Sequence, residues 1–155
     1  MGDCIDAQII DNLITVVKSI TAENEYNTNV KKVELARTQL EINDNYPYVL
    51  VIPNEIDPLQ DYGIREDVLP FLIWYFDGKN DTSDDTDPFT WRLRNVAADF
   101  IKALRKDPSL GGVCENIRIV SHNYGIFVDD VIVEPGVFIY IEIERVVNPD
   151  NPYEF

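Results

Sequence analysis

A chain of 155 residues with an apolar share of 45% and 11% aromatics can bury one core without disulfides or metals, and is too apolar to stay disordered. Its formal charge of −15 repels a phosphate backbone at long range, which argues against specific DNA or RNA binding. The longest apolar run, Val68 to Phe76, is under half of the roughly 20 residues a membrane-spanning helix needs and contains Pro70. Asp3 and Asp6 stand where a secretory signal would carry basic residues, so export by that route is not expected.

The segment Asp3 to Ile20 predicts an amphipathic helix. Ile5, Ile9, Leu13, Val16, Val17 and Ile20 recur at three- and four-residue steps, and Lys18 complements the negative end of the helix dipole. Thr21 to Asn29 is polar and turn-forming. The alternation of Val33 and Leu35 within Val30 to Leu40 predicts a half-exposed strand that ends before the Asn43-Asp44-Asn45 turn. Tyr46 to Ile52 reads as a second strand, stopped by Pro53, and Asn54 to Glu66 as a long polar loop. Val68 to Asp77 predicts a third strand with Pro70 near its start. Phe71, Ile73 and Tyr75 line one face and Leu72, Trp74 and Phe76 the other, as in a central strand or one covered by a partner chain.

An acidic loop, Asp77 to Asp87, leads to a helix start with Asp87 as N-cap and Pro88 at the first helical position. The helix Phe89 to Lys106 is expected to bury Leu93, Val96, Ala97, Phe100, Ile101 and Leu104. It breaks at Asp107-Pro108-Ser109-Leu110-Gly111-Gly112. Pro108 donates no hydrogen bond and biases Asp107 away from helical geometry, while the two glycines permit positive φ. A strand from Val113 to Ser121 follows, with Val113, Glu115, Ile117, Ile119 and Ser121 on one face. His122 to Asp130 reads as a turn or irregular crossing, followed by Val131-Ile132-Val133, with a reversal at Glu134-Pro135-Gly136. The last strand, Val137 to Val147, turns Val137, Ile139, Ile141 and Ile143 one way and Phe138, Tyr140, Glu142 and Glu144 the other. From about residue 148 a Pro-containing stretch forms a short flexible tail. No repeat or linker divides residues 1–155, so a single α+β domain is expected: a mainly antiparallel sheet with two main helices packed on one face.

Chemistry-bearing clusters are few. Asp77, Asp81, Asp84, Asp85 and Asp87 are hard oxygen ligands, but Gly78 directly after the first of them and the lack of a closing glutamate break the EF-hand pattern. A solvated loop is the simpler reading, and no metal or other cofactor is expected. Cys4 and Cys114 form no CxxC and read as reduced thiols. A Cys114–His122 dyad is conceivable, yet no nucleophile motif surrounds Cys114, and P-loop, GxGxxG, GxSxG and HExxH motifs do not occur. An enzyme is therefore not expected. Trp74, Tyr75, Phe76, Phe89 and Trp91 flank the acidic loop and suit either a core or an association surface. Arg92, Arg94, Lys102, Arg105 and Lys106 give the second helix a basic face in an otherwise acidic chain. The Glu142 and Glu144 stripe reads as exposed or subunit-facing.

The order of a helix, the DPSLGG corner, a strand, an irregular segment and a long last strand running into a Pro-containing tail resembles the tail-terminator (tail-completion) proteins of long-tailed bacteriophages. The resemblance is spread over the whole chain and includes no catalytic signature. It implies a structural virion protein in the neck region of the tail, assembled in the host cytoplasm as a ring, usually of six subunits. Such a ring caps the head-proximal end of the tail tube, ends tube polymerisation and offers a surface for head joining. The implied partners are further copies of the chain, the tail tube protein and a head-completion or neck protein. Genome DNA would pass through the lumen without specific binding, and no membrane is involved. The candidate subunit interface then comprises Asp77, Asp81, Asp84, Asp85, Arg92, Arg94, Arg105, Glu142 and Glu144. Another neck or tail-tube component, or a monomeric acidic module that binds a basic partner, are the alternatives.

Overall fold

A computed structural model describes residues 4–35, 47–53, 68–76, 88–128 and 133–145. Helix α1 spans Ile5–Lys18 and is followed by a single 3-10 turn at Ala22–Asn24. Strands β1 (Lys32–Leu35), β2 (Tyr48–Pro53) and β3 (Val68–Phe76) precede helix α2 (Pro88–Lys106). Strands β4 (Asn116–Val128) and β5 (Val133–Glu144) complete the described elements. The five strands form one sheet in the order β1-β2-β3-β5-β4, with β1 parallel to β2 and every other pair antiparallel. This is an α+β architecture.

Both helices lie on one face of the sheet, and the periodicities explain why. Ile5, Ile9, Leu13 and Val17 are the buried stripe of α1; Leu93, Val96, Ala97, Phe100, Ala103 and Leu104 are that of α2. They close over Val49, Val51, Phe71, Ile73, Tyr75, Ile139, Ile141 and Ile143, which are 0–2% exposed. Full burial of each such side chain is worth about 1.5–3 kcal/mol. The ring of Tyr75 meets that of Phe100 edge-on, with centroids 5.9 Å apart. Ile101 is only half-buried and Ala103 takes the inward position expected of it.

The chain between α1 and β1 is tied to α2. Asp99, 4% exposed, accepts hydrogen bonds from the backbone N–H and the hydroxyl of Thr28, both at 2.7 Å through the same Oδ2. One turn further, Lys102 Nζ lies 4.7 Å from the centre of the Tyr26 ring and donates to the Glu25 carbonyl at 3.2 Å. Glu25 itself adopts a left-handed φ of 66°.

The second half of the sheet departs from the sequence expectation. His122 to Val128 is no irregular crossing but the continuation of β4, and Glu134-Pro135-Gly136 is no reversal but part of β5; Val128 pairs with Val133. Pro135 is tolerated there for a geometric reason. The pairing of β3 with β5 ends at Phe76 opposite Gly136, so among the described residues Pro135 has a partner strand on one side only. Pro70 likewise lies one residue beyond the last β2–β3 pair, Pro53 opposite Phe71. The strand also starts later than expected, at Asn116, because Val113 to Glu115 belong to the corner. A bulge shifts the register between Ile119 (opposite Ile141) and Ser121 (opposite Tyr140). Ser121 therefore does not share the face of Ile117 and Ile119. Leu35 departs too: expected on the inward side of its strand, it is 44% exposed. Residues 36–40, the Asn43-Asp44-Asn45 turn, the loop Asn54 to Glu66, the Asp87 cap and the tail from about 148 lie outside the described residues.

Candidate functional site

The sheet face away from the helices carries the second set of side chains. Tyr48, Leu50 and Phe76 are buried there, with Ile52 and Trp74 packed against them. The rings of Trp74 and Phe76 have centroids 4.6 Å apart, and those of Trp74 and Phe138 4.8 Å apart, so aromatics from adjacent strands form one band. Gly136 makes room for it. A Cβ added at that position would lie 3.4 Å from the indole Nε1 of Trp74 and 3.0 Å from the Tyr75 carbonyl oxygen. This is an aromatic side chain covering a strand glycine.

Toward the other end of the same face the band becomes charged. Glu142 and Glu144 are half-buried and stand opposite Arg118 and Asn116 of β4, in agreement with the face expected for them. Arg118 forms an ion pair with Glu142, so this half of the stripe is already neutralised within the chain. On the far edge, Glu34 bridges Lys32 Nζ at 2.9 Å and accepts from the Tyr48 hydroxyl at 2.8 Å. Arg145, just beyond β5, pairs with Asp6 in the first turn of α1 and fastens the sheet end to the helix layer.

The basic set divides. Arg94 and Arg105 are exposed on the outer side of α2, eleven positions and thus about three turns apart. Arg92 is half-buried on the flank that continues into Val96, Asp99 and Ala103, so it does not share the surface of the other two. Asp77, Asp81, Asp84 and Asp85 lie outside the described residues, as do the side chains of Phe89 and Trp91. Among the described residues, no group of three or more His, Cys, Asp or Glu side chains is placed to hold a metal ion, and no helix is long and apolar enough to cross a membrane.

The DPSLGG corner is a hydrogen-bonded unit. Asp107 Oδ1 accepts from the Ser109 hydroxyl at 2.7 Å and from its N–H at 3.2 Å, while Oδ2 accepts from the Gly111 N–H at 2.7 Å. Leu110, Gly111 and Gly112 have φ of 49°, 75° and 90°. The Leu110 side chain is buried, and its carbonyl accepts from Asn12 of α1 at 2.7 Å. The Ser109 hydroxyl and then the Gly111 N–H hold the Asp107 carboxyl below the usual carboxylate range. A depressed folded-state value means that the corner's contribution is complete above the ordinary aspartate range, near pH 4, and is lost as pH falls through the folded-state value. Urea midpoints measured from pH 7 to pH 2 should therefore show a shallower acid limb in Asp107→Asn than in the parent chain, together with lower stability at pH 7. Parallel curves would show that this carboxylate carries none of the acid sensitivity.

Cys4 and Cys114 are both free thiols. Burial, and then the neighbouring Asp107 charge, push the Cys114 thiol up to about 11, and its Sγ donates to the Pro108 carbonyl at 3.4 Å. Cys114 precedes β4, whereas His122 stands six residues beyond its first residue, Asn116. At about 3.3 Å per residue those six positions span roughly 20 Å. The Cys–His dyad is not assembled. With about 0.1% thiolate at pH 8, Cys114 should resist alkylation, because the thiolate is the reacting species. Mass spectrometry after a short native pulse of iodoacetamide should find label on Cys4 and not on Cys114, with both labelled in denaturant; rapid native labelling of Cys114 would contradict the assignment.

Sequence reasoning missed two structural residues. Asp99 had a signal, a carboxylate beside Val96, Phe100 and Ala103 on the apolar side of α2, whereas its partner Thr28 had none. Compared with known proteins, the chain matches no family model and no curated protein.

Proposed function

We propose that the protein is a ring-forming structural component of a phage virion, most specifically a tail terminator that caps the head-proximal end of the tail tube. The observation that supports this reading beyond the resemblance is charge of opposite sign on the two sides of the helix-and-sheet unit. Exposed Arg94 and Arg105 lie on the outside of α2, and half-buried Glu144 lies on the sheet face away from the helices, beyond the largely buried aromatic cluster. A head-to-tail ring needs two unlike, complementary patches on each subunit, and opposite charge supplies register.

Its work is then geometric. One face of the ring mimics the next layer of tube, the other does not, and polymerisation stops. The head-completion or neck protein joins the second face, and DNA passes through a lumen whose negative charge limits adhesion. No catalysis and no cofactor enter this role.

Purified protein mixed with uncapped tail tubes should form rings at one tube end, visible by negative-stain microscopy. Free association should be weak and should strengthen with salt, because like charge opposes packing the subunits and added ions screen it. A monomer under every salt condition that also leaves tube ends bare would overturn the proposal.

A further inference from the structure

Resting on the ring reading, the topology points to the joint itself: we propose that subunits join through their sheet edges, the outer edge of β4 in one copy pairing with the outer edge of β1 in the next. Among the described residues no strand lies beyond either β1 or β4, so these are the two margins of the described sheet. An open margin presents unpaired N–H and C=O groups and is a template for a further strand.

Three observations select this pairing. The first is polarity. β2 runs with β1, β3 against them, β5 with them and β4 against them. The two margins therefore run in opposite directions, and laying a second copy alongside in the same orientation sets β4 against β1 as an antiparallel pair, the more stable hydrogen-bonding arrangement. The second is apolar exposure. Leu35 and Val120, 44% and 45% exposed, are the exposed large hydrophobics among the described residues; one lies at the end of β1 and the other at the bulge of β4. Four successive residues, Val120 to Asn123, are exposed, so both faces of the margin are open there. The third is the helix layer. α2 packs over β4 and β5 and α1 over β1, so the same joint sets α2 of one copy beside α1 of the next. That brings the helix bearing Arg94 and Arg105 toward the one bearing exposed Asp11.

Over the four described residues of β1 the joint extends about 13 Å. Because each copy offers two different margins, the contact is heterologous and forms a ring when its rotation closes.

Cross-linking tests the pairing directly. Two variants in a Cys4→Ser background, Leu35→Cys and Val120→Cys, are mixed at raised salt and treated with a short bismaleimide. The expected product is a covalent dimer in the mixture that neither variant gives alone. Self-linking of Val120→Cys would mean that β4 pairs with its own copy and would overturn the proposal, as would the absence of dimer in every arm. Leu35→Lys and Val120→Lys, both at exposed positions, should leave circular dichroism unchanged and weaken association at least tenfold. The same samples are applied to tail tubes. Capped tubes without the mixed cross-link would reject the edge joint and leave the terminator reading standing, while the cross-link with bare tube ends would do the reverse.

Discussion

On the proposed ring, replacing Arg94 and Arg105 with glutamate is expected to abolish assembly on tail tubes while leaving the circular dichroism of the subunit unchanged. Both side chains are exposed, and neither belongs to the buried stripe of α2. Surface changes of this kind usually alter stability by no more than about 0.5 kcal/mol. The double reversal makes an already acidic chain four charges more negative, so it removes an attraction and adds a repulsion at once. Like-charge contacts across an interface cost several kcal/mol, enough for a loss of at least a hundredfold in association. Three rescues identify the acidic partner. Asp84 and Asp85 to lysine tests the loop, Glu144→Lys tests the sheet stripe, and Asp11→Lys tests the neighbouring α1. Glu144 is a cleaner probe than Glu142, whose reversal would set a lysine against Arg118. Normal rings from the reversed helix would make these arginines ordinary solvated residues.

The largest effect on stability is expected at Asp99. Asp99→Ala leaves two buried donors of Thr28, its N–H and its hydroxyl, without their acceptor. A hydrogen bond to a charged group contributes about 1.5–3 kcal/mol, and an unsatisfied buried donor adds about 1–3 kcal/mol more. Part of this is relieved where water reaches the loop, so a loss of about 2–4 kcal/mol is expected. For a chain of this size that lowers Tm by roughly 5–15 °C. Thr28→Val removes only the hydroxyl and should cost about 1–2 kcal/mol. The two changes should be far from additive, since they act on one contact. Calorimetry finding Asp99→Ala within 0.5 kcal/mol of the parent chain would mean that the loop is held by Tyr26 and Val30 packing alone.

The elements legible in the sequence were those whose side-chain period is driven by burial on one side. The stripes of α1 and α2 and the alternation of Val137, Ile139, Ile141 and Ile143 follow directly from where water is excluded. The corner was legible because proline and two glycines act locally. The β4–β5 pairing around Pro135 was not, because Glu134-Pro135-Gly136 carries turn chemistry and yet sits where, among the described residues, β5 is paired with β4 alone. The bulge at Val120 was invisible for a related reason: one inserted residue reverses the alternation without changing composition. At the candidate surfaces, residue pattern put Arg94 and Arg105 on the polar side of α2, and Glu142 and Glu144 on the face opposite Ile141 and Ile143, where the structure has them. It did not reveal that Arg118 already engages Glu142, which depends on register across strands; that Arg92 turns away from Arg94 follows instead from the helical period, two positions being about 200° apart.

The central pairing of β3 with β5 has a consequence for the order in which the subunit is completed. Partners in β1–β2 stand 16 positions apart and those in β4–β5 no more than 28, whereas those in β3–β5 stand 60 to 76 apart, and the Asp6–Arg145 clasp joins positions 139 apart. Local closure precedes distant closure, so β1-β2-β3 and β4-β5 are expected to form first and the β3–β5 seam to close after them. In a ring joined at sheet edges the two halves carry one margin each. A subunit whose seam is still open cannot offer both margins in one sheet, and edge pairing thus doubles as a check that only fully folded copies enter the ring.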